Sequence, residues 1–181
     1  MGGVQRVLVA GITGSGKTTY ATELARRLDL PFHSMDALFH GPGWEPIPTF
    51  VDDVAAIVEG EQWVFDSHGY SEVQDLMWAR ADTVIWLAYP RLVAASRVTR
   101  RSFHRAWTRE PMFNGNTETF RSWLDPEHPV QWVWTHYAGR RRNLEEKFAD
   151  PAYAEMTKVR FANPSTARRW MDVAAPDSPP R

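Results

Sequence analysis

Gly11-Ile12-Thr13-Gly14-Ser15-Gly16-Lys17-Thr18 is the stretch on which the fold turns. It satisfies G-x-x-x-x-G-K-[ST], the P-loop or Walker A pattern. Its flanks are those the pattern requires. Residues 4–10 form an apolar, valine-rich run that reads as a buried parallel strand. Beyond the motif, Ala21, Leu24, Ala25 and Leu28 recur at i, i+3, i+4 and i+7, so a helix starts inside it. Three glycines let backbone N–H groups turn inward around phosphate oxygens without side-chain clash. The following helix adds the positive end of its dipole. Gly11, Thr13, Gly14, Ser15, Gly16, Lys17, Thr18 and Thr19 are therefore the candidate nucleotide-binding residues. Lys17 would neutralise the β- and γ-phosphates, and the Thr18 hydroxyl would ligate Mg²⁺. The motif specifies a nucleoside triphosphate and says nothing of the phosphate acceptor.

Composition narrows the classes. A chain of 181 residues suffices for one domain with small insertions, and a hydrophobic content of 43% supports a core. The net charge of -1 supplies no global field for nucleic acid or membrane. Cysteine is absent, which excludes disulfides and thiolate-held metal. No apolar run approaches the ~20 residues of a membrane span, and no charged-then-apolar leader is visible, so a cytoplasmic protein is expected. Lysine occurs only at Lys17, Lys147 and Lys158, so Lys17 is a rare residue type placed where its chemistry is needed.

After the first helix, residues 30–35 read as a weak second strand ending near Asp36. A Pro- and Gly-rich loop follows at 40–48. Thr49 reads as the N-cap of a helix carrying Val51, Val54, Ala55 and Val58, which Gly60 stops. Trp63-Val64-Phe65 reads as a short buried third strand ending at Asp66. Ser71-x-x-Gln74 reads as a capping box opening the next helix. Residues 83–88 are an apolar fourth strand, and Pro90 starts a long arginine-rich helix. Residues 111–116 break it, and a short helix follows at about 117–124. A second long amphipathic helix runs to about Phe148, with Val130, Val133, Trp134, Tyr137, Ala138 and Leu144 marking its stripe. Residues 158–161 form a fifth strand. Asn163-Pro164 caps a last helix through Trp170. The three-proline tail at 174–181 is expected to be disordered. Strands alternating with helices predict a parallel α/β sheet with helices on both faces, whose sites lie outside the carboxyl ends of the strands.

Three features beside the P-loop fall at those ends. Asp66, delivered by an apolar strand, has the Walker B arrangement and is the candidate metal residue with Thr18; the alternative is a cap of the next turn. Asp36 could take the proton of an acceptor hydroxyl or cap a short helix at 37–39. His33, His40 and His68 are weaker candidates. The third feature is the helix after Pro90, with Arg91, Arg97, Arg100, Arg101, Arg105, Arg109 and His104. Exposed helices normally mix charge signs, so this one calls for an anion. Arg97 and Arg101 lie four apart on one face and could stack on a base and clamp phosphates. Nucleic-acid binding competes for the same residues. Trp44 reads as a loop anchor or an acceptor-stacking ring.

Gly11–Thr18, Asp36 with Leu38-Phe39-x-Gly41-Pro42-Gly43-Trp44, the Asp66-x-x-x-Tyr70 turn, Val84-Ile85-Trp86-Leu87-x-Tyr89-Pro90 and the arginine-rich helix resemble adenylate-kinase-like proteins of the DNA topology modulation (FlaR-like) family. The resemblance spans about residues 4–173. It implies a single P-loop kinase domain over 1–173: a three-layer α/β/α sandwich with strand order 2-3-1-4-5, an acceptor-side insertion at about 37–60 and a mobile arginine-bearing lid at about 97–129. It implies ATP as donor, Mg²⁺ as cofactor, Arg97 against the adenine, Arg101 on phosphate, and Asn163 and Pro164 bordering the adenine. Adenylate kinases also carry an arginine after each of the second and third strands to grip AMP. Here those positions are Phe39 and Tyr70. Each lost charge-assisted contact is worth about 1.5–3 kcal/mol, so AMP is expected to be a poor acceptor.

The expected activity is transfer of the γ-phosphate of ATP to a small acceptor, with Lys17, Asp36, Arg97 and Arg101 as catalytic residues. The acceptor is a nucleotide or a hydroxylated metabolite, and the oligomeric state stays open. The alternatives are a nucleotide-dependent regulator that binds DNA or RNA through the arginine helix and Arg140-Arg141-Arg142, and a bare nucleotide-hydrolysing switch.

Overall fold

The computed structural model describes residues 4–109 and 111–176. The chain runs β1 (Arg6–Gly11), α1 (Lys17–Leu28), β2 (Phe32–His33), α2 (Met35–Phe39), α3 (Phe50–Val58), β3 (Trp63–Phe65), α4 (Gln74–Arg80), β4 (Thr83–Leu87) and α5 (Arg91–Thr108). A small hairpin of β5 (Pro111–Met112) and β6 (Asn116–Thr117) follows, then α6 (Pro129–Ala149), β7 (Thr157–Phe161) and α7 (Pro164–Ala174). Five strands form one parallel sheet in the order β2-β3-β1-β4-β7. That is the order 2-3-1-4-5 counted over the sheet strands alone.

Side-chain alternation along β1 builds the two core layers. Leu8 and Ala10 face one side, where they meet Val54, Trp63, Met77, Trp78, Trp86 and Leu144 from α3, α4, α6 and neighbouring strands. Val7 and Val9 face the other, against Ala21, Leu24 and Ala25 of α1 and Ala167 and Met171 of α7. Burying a large apolar side chain of this kind contributes roughly 1.5–3 kcal/mol. A third cluster joins Ile12 of the loop to Ala94, Ala95 and Val98 of α5 and Val133 of α6. It presses the long helices onto the end of the sheet where the loop lies.

Local signals failed where tertiary bonds won. The second strand has only two residues, and Asp36 lies in the first turn of α2. Thr49 stands at the N-cap position of α3 as expected, but its hydroxyl donates to Asp53 at 2.7 Å and makes no bond to a backbone N–H. The Ser71–Gln74 box does not form: α4 starts at Gln74, whose amide reaches the His68 carbonyl and Asn143 instead. The last helix continues to the exposed Ala174, and Ala175 after it is buried among residues of α1 and α7. Of the tail expected to be disordered, residues 177–181 lie outside the described residues. α5 runs unbroken through Arg97 and Arg101 to Thr108, so both arginines lie on one continuous helix.

Candidate active site

The loop after β1 is shaped by its glycines. Gly14 and Gly16 have φ of 78° and 88°, a left-handed region that glycine enters without strain. Gly14 also meets a close neighbour, since a Cβ there would stand 2.3 Å from the Ala94 carbonyl oxygen of α5. This contact brings α5 to the loop. One turn on, Arg97 Nη1 donates to the Ser15 carbonyl at 3.3 Å, and its guanidinium carbon lies 5.6 Å from the Tyr89 ring centre. Lys17, at the start of α1, donates from Nζ to the Ile12 carbonyl at 3.2 Å. Thr13 is half-buried, while Gly16, Thr18 and Thr19 form the exposed rim.

Asp66 follows β3 and is buried. Its Oδ2 accepts from Thr18 Oγ1 at 2.6 Å, and its Oδ1 accepts from the Met35 N–H at 2.9 Å. One carboxylate thus ties the P-loop helix to the start of α2. Burial raises the Asp66 pKa above the ordinary carboxylate value, while the bonds from Thr18 and Met35 pull it back. Burial lowers Lys17; Asp36 and Asp66 oppose this, and Arg101 and Arg140 add to it. Three cations from α1, α5 and α6 therefore lie within electrostatic reach of one another, a field that an anion would relieve.

The residues fit a magnesium nucleotide. Thr18 and Asp66 supply paired hard oxygens of the type Mg²⁺ takes. The loop supplies backbone N–H groups and Lys17. The buried Ser15 hydroxyl has no hydrogen-bond partner among the described residues. An orphaned polar group of this kind in a phosphate loop awaits a ligand or water.

On the acceptor side, Asp36 is exposed, and its Oδ1 accepts from the Tyr70 hydroxyl at 3.1 Å. It does not cap α2, whose N-cap position is Ser34. Arg140 of α6 is half-buried, stands 5.4 Å over the Trp132 ring and donates to His68 Nε2 at 3.2 Å. Burial, then the charge of Arg140, holds His68 down to about 3, so the ring is neutral and Nε2 accepts. Loss of solvent around the Arg101 head group, then Arg105, lowers Arg101, and Glu118 and Asp36 raise it.

The segment after α5 closes over the acceptor loop. The buried Asn116 accepts from the Gly43 N–H at 2.8 Å and donates to the Gly41 carbonyl at 2.9 Å. Asn114 donates to the His40 carbonyl at 2.6 Å. Behind this, Glu118 Oε1 meets His128 Nε2 at 2.8 Å, both side chains being buried. Trp44 is 41% exposed and sets its ring edge-on to His40, as a loop anchor does.

Lys17, Thr18, Asp36, Asp66, Arg97 and Arg101 all converge on the carboxyl ends of β1 and β3. Asn163 is spent on capping: its Oδ1 accepts from the Thr166 N–H at 3.0 Å, with Pro164 at the first helical position. α7 meets α1 through the Tyr20 hydroxyl, which donates to the Ala167 carbonyl. His33 stacks on Phe65 behind the strands. Sequence reasoning placed Arg140 in a basic surface patch. Its signal lay in the buried stripe Val133, Tyr137, Arg140, Leu144, spaced i, i+4, i+7, i+11, where an arginine is out of place unless it has a polar target. Tyr70 and Asn116 carried no signal of their own.

Solved structures share this architecture. Shikimate kinase from Acinetobacter baumannii, determined with shikimate, matches 94% of this chain and 92% of its own at a TM-score of 0.52 and 17% identity. A sugar kinase from a Janibacter species matches 96% of each chain at 0.53 and 19%. A gluconokinase from Sinorhizobium meliloti matches 95% and 90% at 0.50 and 16%. No protein-family model and no curated protein matches the chain. The fold is that of the P-loop kinases of small molecules. The finer likeness to the DNA topology modulation proteins rests on the quoted motifs alone.

Proposed function

We propose that the protein is a phosphotransferase that moves the γ-phosphate of Mg-ATP to a hydroxyl group of a small acceptor. The observation that carries this is the convergence of Lys17, the Thr18–Asp66 pair and Asp36 at one end of the sheet. The acceptor oxygen forms a bond to the γ-phosphorus, the bond to the ADP oxygen breaks, and Asp36 takes the hydroxyl proton. Lys17, Arg101 and Arg140 neutralise charge on the transferring group, and Arg97 holds the loop against α5 beside the nucleotide. Thr18 and Asp66 would hold Mg²⁺, which would supply positive charge against the phosphates. Asn163 and Pro164 border the base through the loop backbone. The segment 109–128, seated on 41–43, excludes water during transfer.

The test follows γ-labelled ATP in the wild type and in Asp36→Asn across sugars, sugar acids, nucleosides and hydroxylated carboxylates. The expected result is a labelled organic phosphate, reduced at least about 100-fold in the variant with ATP binding retained. Equal transfer by Asp36→Asn would remove Asp36 from the mechanism. Label released only as inorganic phosphate would remove the kinase.

One observation favours a second reading, a nucleic-acid-binding regulator of the kind the topology modulation resemblance suggests. On α5, Phe103 and Trp107 are 53% and 74% exposed with ring planes 15° apart, among the exposed Arg100, His104 and Arg109. Aromatic faces interleaved with cations suit single-stranded nucleic acid. Binding that weakens steeply with salt and disappears on replacing Arg100, Arg105 and Arg109 supports it, and salt-independent binding opposes it.

A further inference from the structure

We propose that Tyr70 is a positioning residue for Asp36, and that with Phe39 and Phe50 it fits the acceptor compartment to an unphosphorylated, compact hydroxyl compound with one apolar face. This rests on the kinase reading above. Tyr70 is held by neighbouring rings. Its ring lies on that of Phe39 with centres 4.4 Å apart and planes 14° apart. Phe50 sets its edge against both, at 5.1 Å from Phe39 and 5.6 Å from Tyr70. Three rings from α2, α3 and the loop after β3 thereby fix one another, as edge-to-face and offset pairs do. The phenol oxygen has no freedom to wander, and it meets Asp36 Oδ1 at 3.1 Å.

The direction of that bond is settled by chemistry. Burial and the neighbouring Asp36 carboxylate push the Tyr70 phenol above its ordinary value, so it keeps its proton and donates. With Oδ1 occupied, Asp36 offers Oδ2 to an acceptor hydroxyl in one orientation. α2 has only five residues and Asp36 is exposed upon it, so neither the helix nor packing fixes that carboxylate. The phenol supplies what they do not.

The same rings define what fits beside Asp36. Phe39 and Tyr70, both half-buried, present carbon and a single hydroxyl, and the buried Phe50 backs them. Lys17, Arg101 and Arg140 are the cations in electrostatic reach, and the transferring phosphate needs them. A phosphate already on the acceptor would compete with the transferring group for these same cations, of which Arg140 also reaches Tyr70, or meet the aromatic wall unpaired, and both are disfavoured. An apolar face laid on the wall, with a hydroxyl at Asp36, meets no such cost.

The experiment compares the wild type with Tyr70→Phe, which keeps the ring stack and removes only the hydroxyl, and with Phe39→Leu, which loosens the stack. Transfer from Mg-ATP is measured to D-gluconate, shikimate, deoxyadenosine and a wider panel of hydroxylated carboxylates, each beside its own phosphate ester. Tyr70→Phe is expected to melt like the wild type and to lose about tenfold in kcat with KM for ATP unchanged. Phe39→Leu is expected to lower kcat and raise the acceptor KM together. Each phosphate ester is expected to be at least 100-fold worse than its parent. A Tyr70→Phe enzyme with wild-type kcat, or a phosphate ester used better than its parent, would overturn the inference while leaving the kinase reading standing. Hydrolysis without any phosphorylated product would overturn both.

Discussion

At Gly14 the chain has one conformation open to it. Its φ of 78° suits glycine, and a methyl group there would lie 2.3 Å from a helix carbonyl. At Asp36 the backbone is anchored through Met35 but the side chain is nearly free: an exposed carboxylate on a five-residue helix, aligned by one phenol 34 positions away. The first region would hold the donor, the second the acceptor. The donor half is made of backbone geometry, local in sequence and intolerant of change. The acceptor half is made of side chains gathered from α2, α5, α6 and the loop after β3, and it can be remodelled without disturbing the sheet. One P-loop scaffold can then serve several acceptors, since the expensive part stays put.

The contrast can be broken in order of effect. Lys17→Ala should remove on the order of 10³-fold of turnover while the circular dichroism and melting curve stay close to wild type; a folded variant of unchanged rate would detach the loop from the chemistry. Gly14→Ala should cost about 2–4 kcal/mol in a urea titration, from the contact with Ala94 and the left-handed backbone together. A smaller loss than Asp36→Ala would show that the donor half is not the rigid one.

The next effect is read by pH. His68 is held near 3 in the folded protein, well below its ordinary value of 6.5. Between these values the unfolded chain binds the extra proton and the folded one does not. The contribution is therefore complete above about pH 6.5 and declines as pH falls towards 3. Going from pH 6.5 to 4.5 should cost on the order of 2–3 kcal/mol, at roughly 1.4 kcal/mol per unit. His68→Gln keeps an acceptor for Arg140 and should flatten that acid limb; urea melts of both proteins between pH 4 and 8 decide it. Smallest is Asn116→Ala, which leaves the Gly43 N–H without its acceptor. It should cost about 1–2 kcal/mol and raise the acceptor KM severalfold with little change for ATP. An equal rise for ATP would mean that the closing segment serves the donor half instead.

The same contrast explains what could be read from the chain. β1, the P-loop and α1 were legible because an apolar run, three glycines and an i, i+3, i+4 stripe are local signals. The carboxyl-end positions of Asp36 and Asp66 followed from the alternation of strands and helices. Arg140 was hidden because its meaning depends on which face of α6 is buried, and Tyr70 because its partners are rings on two other elements. Ser71 misled for the complementary reason: it fits a local capping pattern, but Gln74 has a tertiary target in His68 and Asn143, whereas Thr49, whose signal is local, does stand at the N-cap of α3. The end of α7 was underestimated because Ala175 is held by burial against α1 and not by any helix signal in its own sequence.

The most direct test of the account is the rate of ADP formation by the wild-type protein with Mg-ATP, with and without a panel of hydroxylated acceptors, with organic phosphate counted in the same samples. The account predicts that one class of unphosphorylated acceptor raises the rate and yields one phosphorylated product per ADP. A slow rate indifferent to every acceptor, with only inorganic phosphate released, would contradict it.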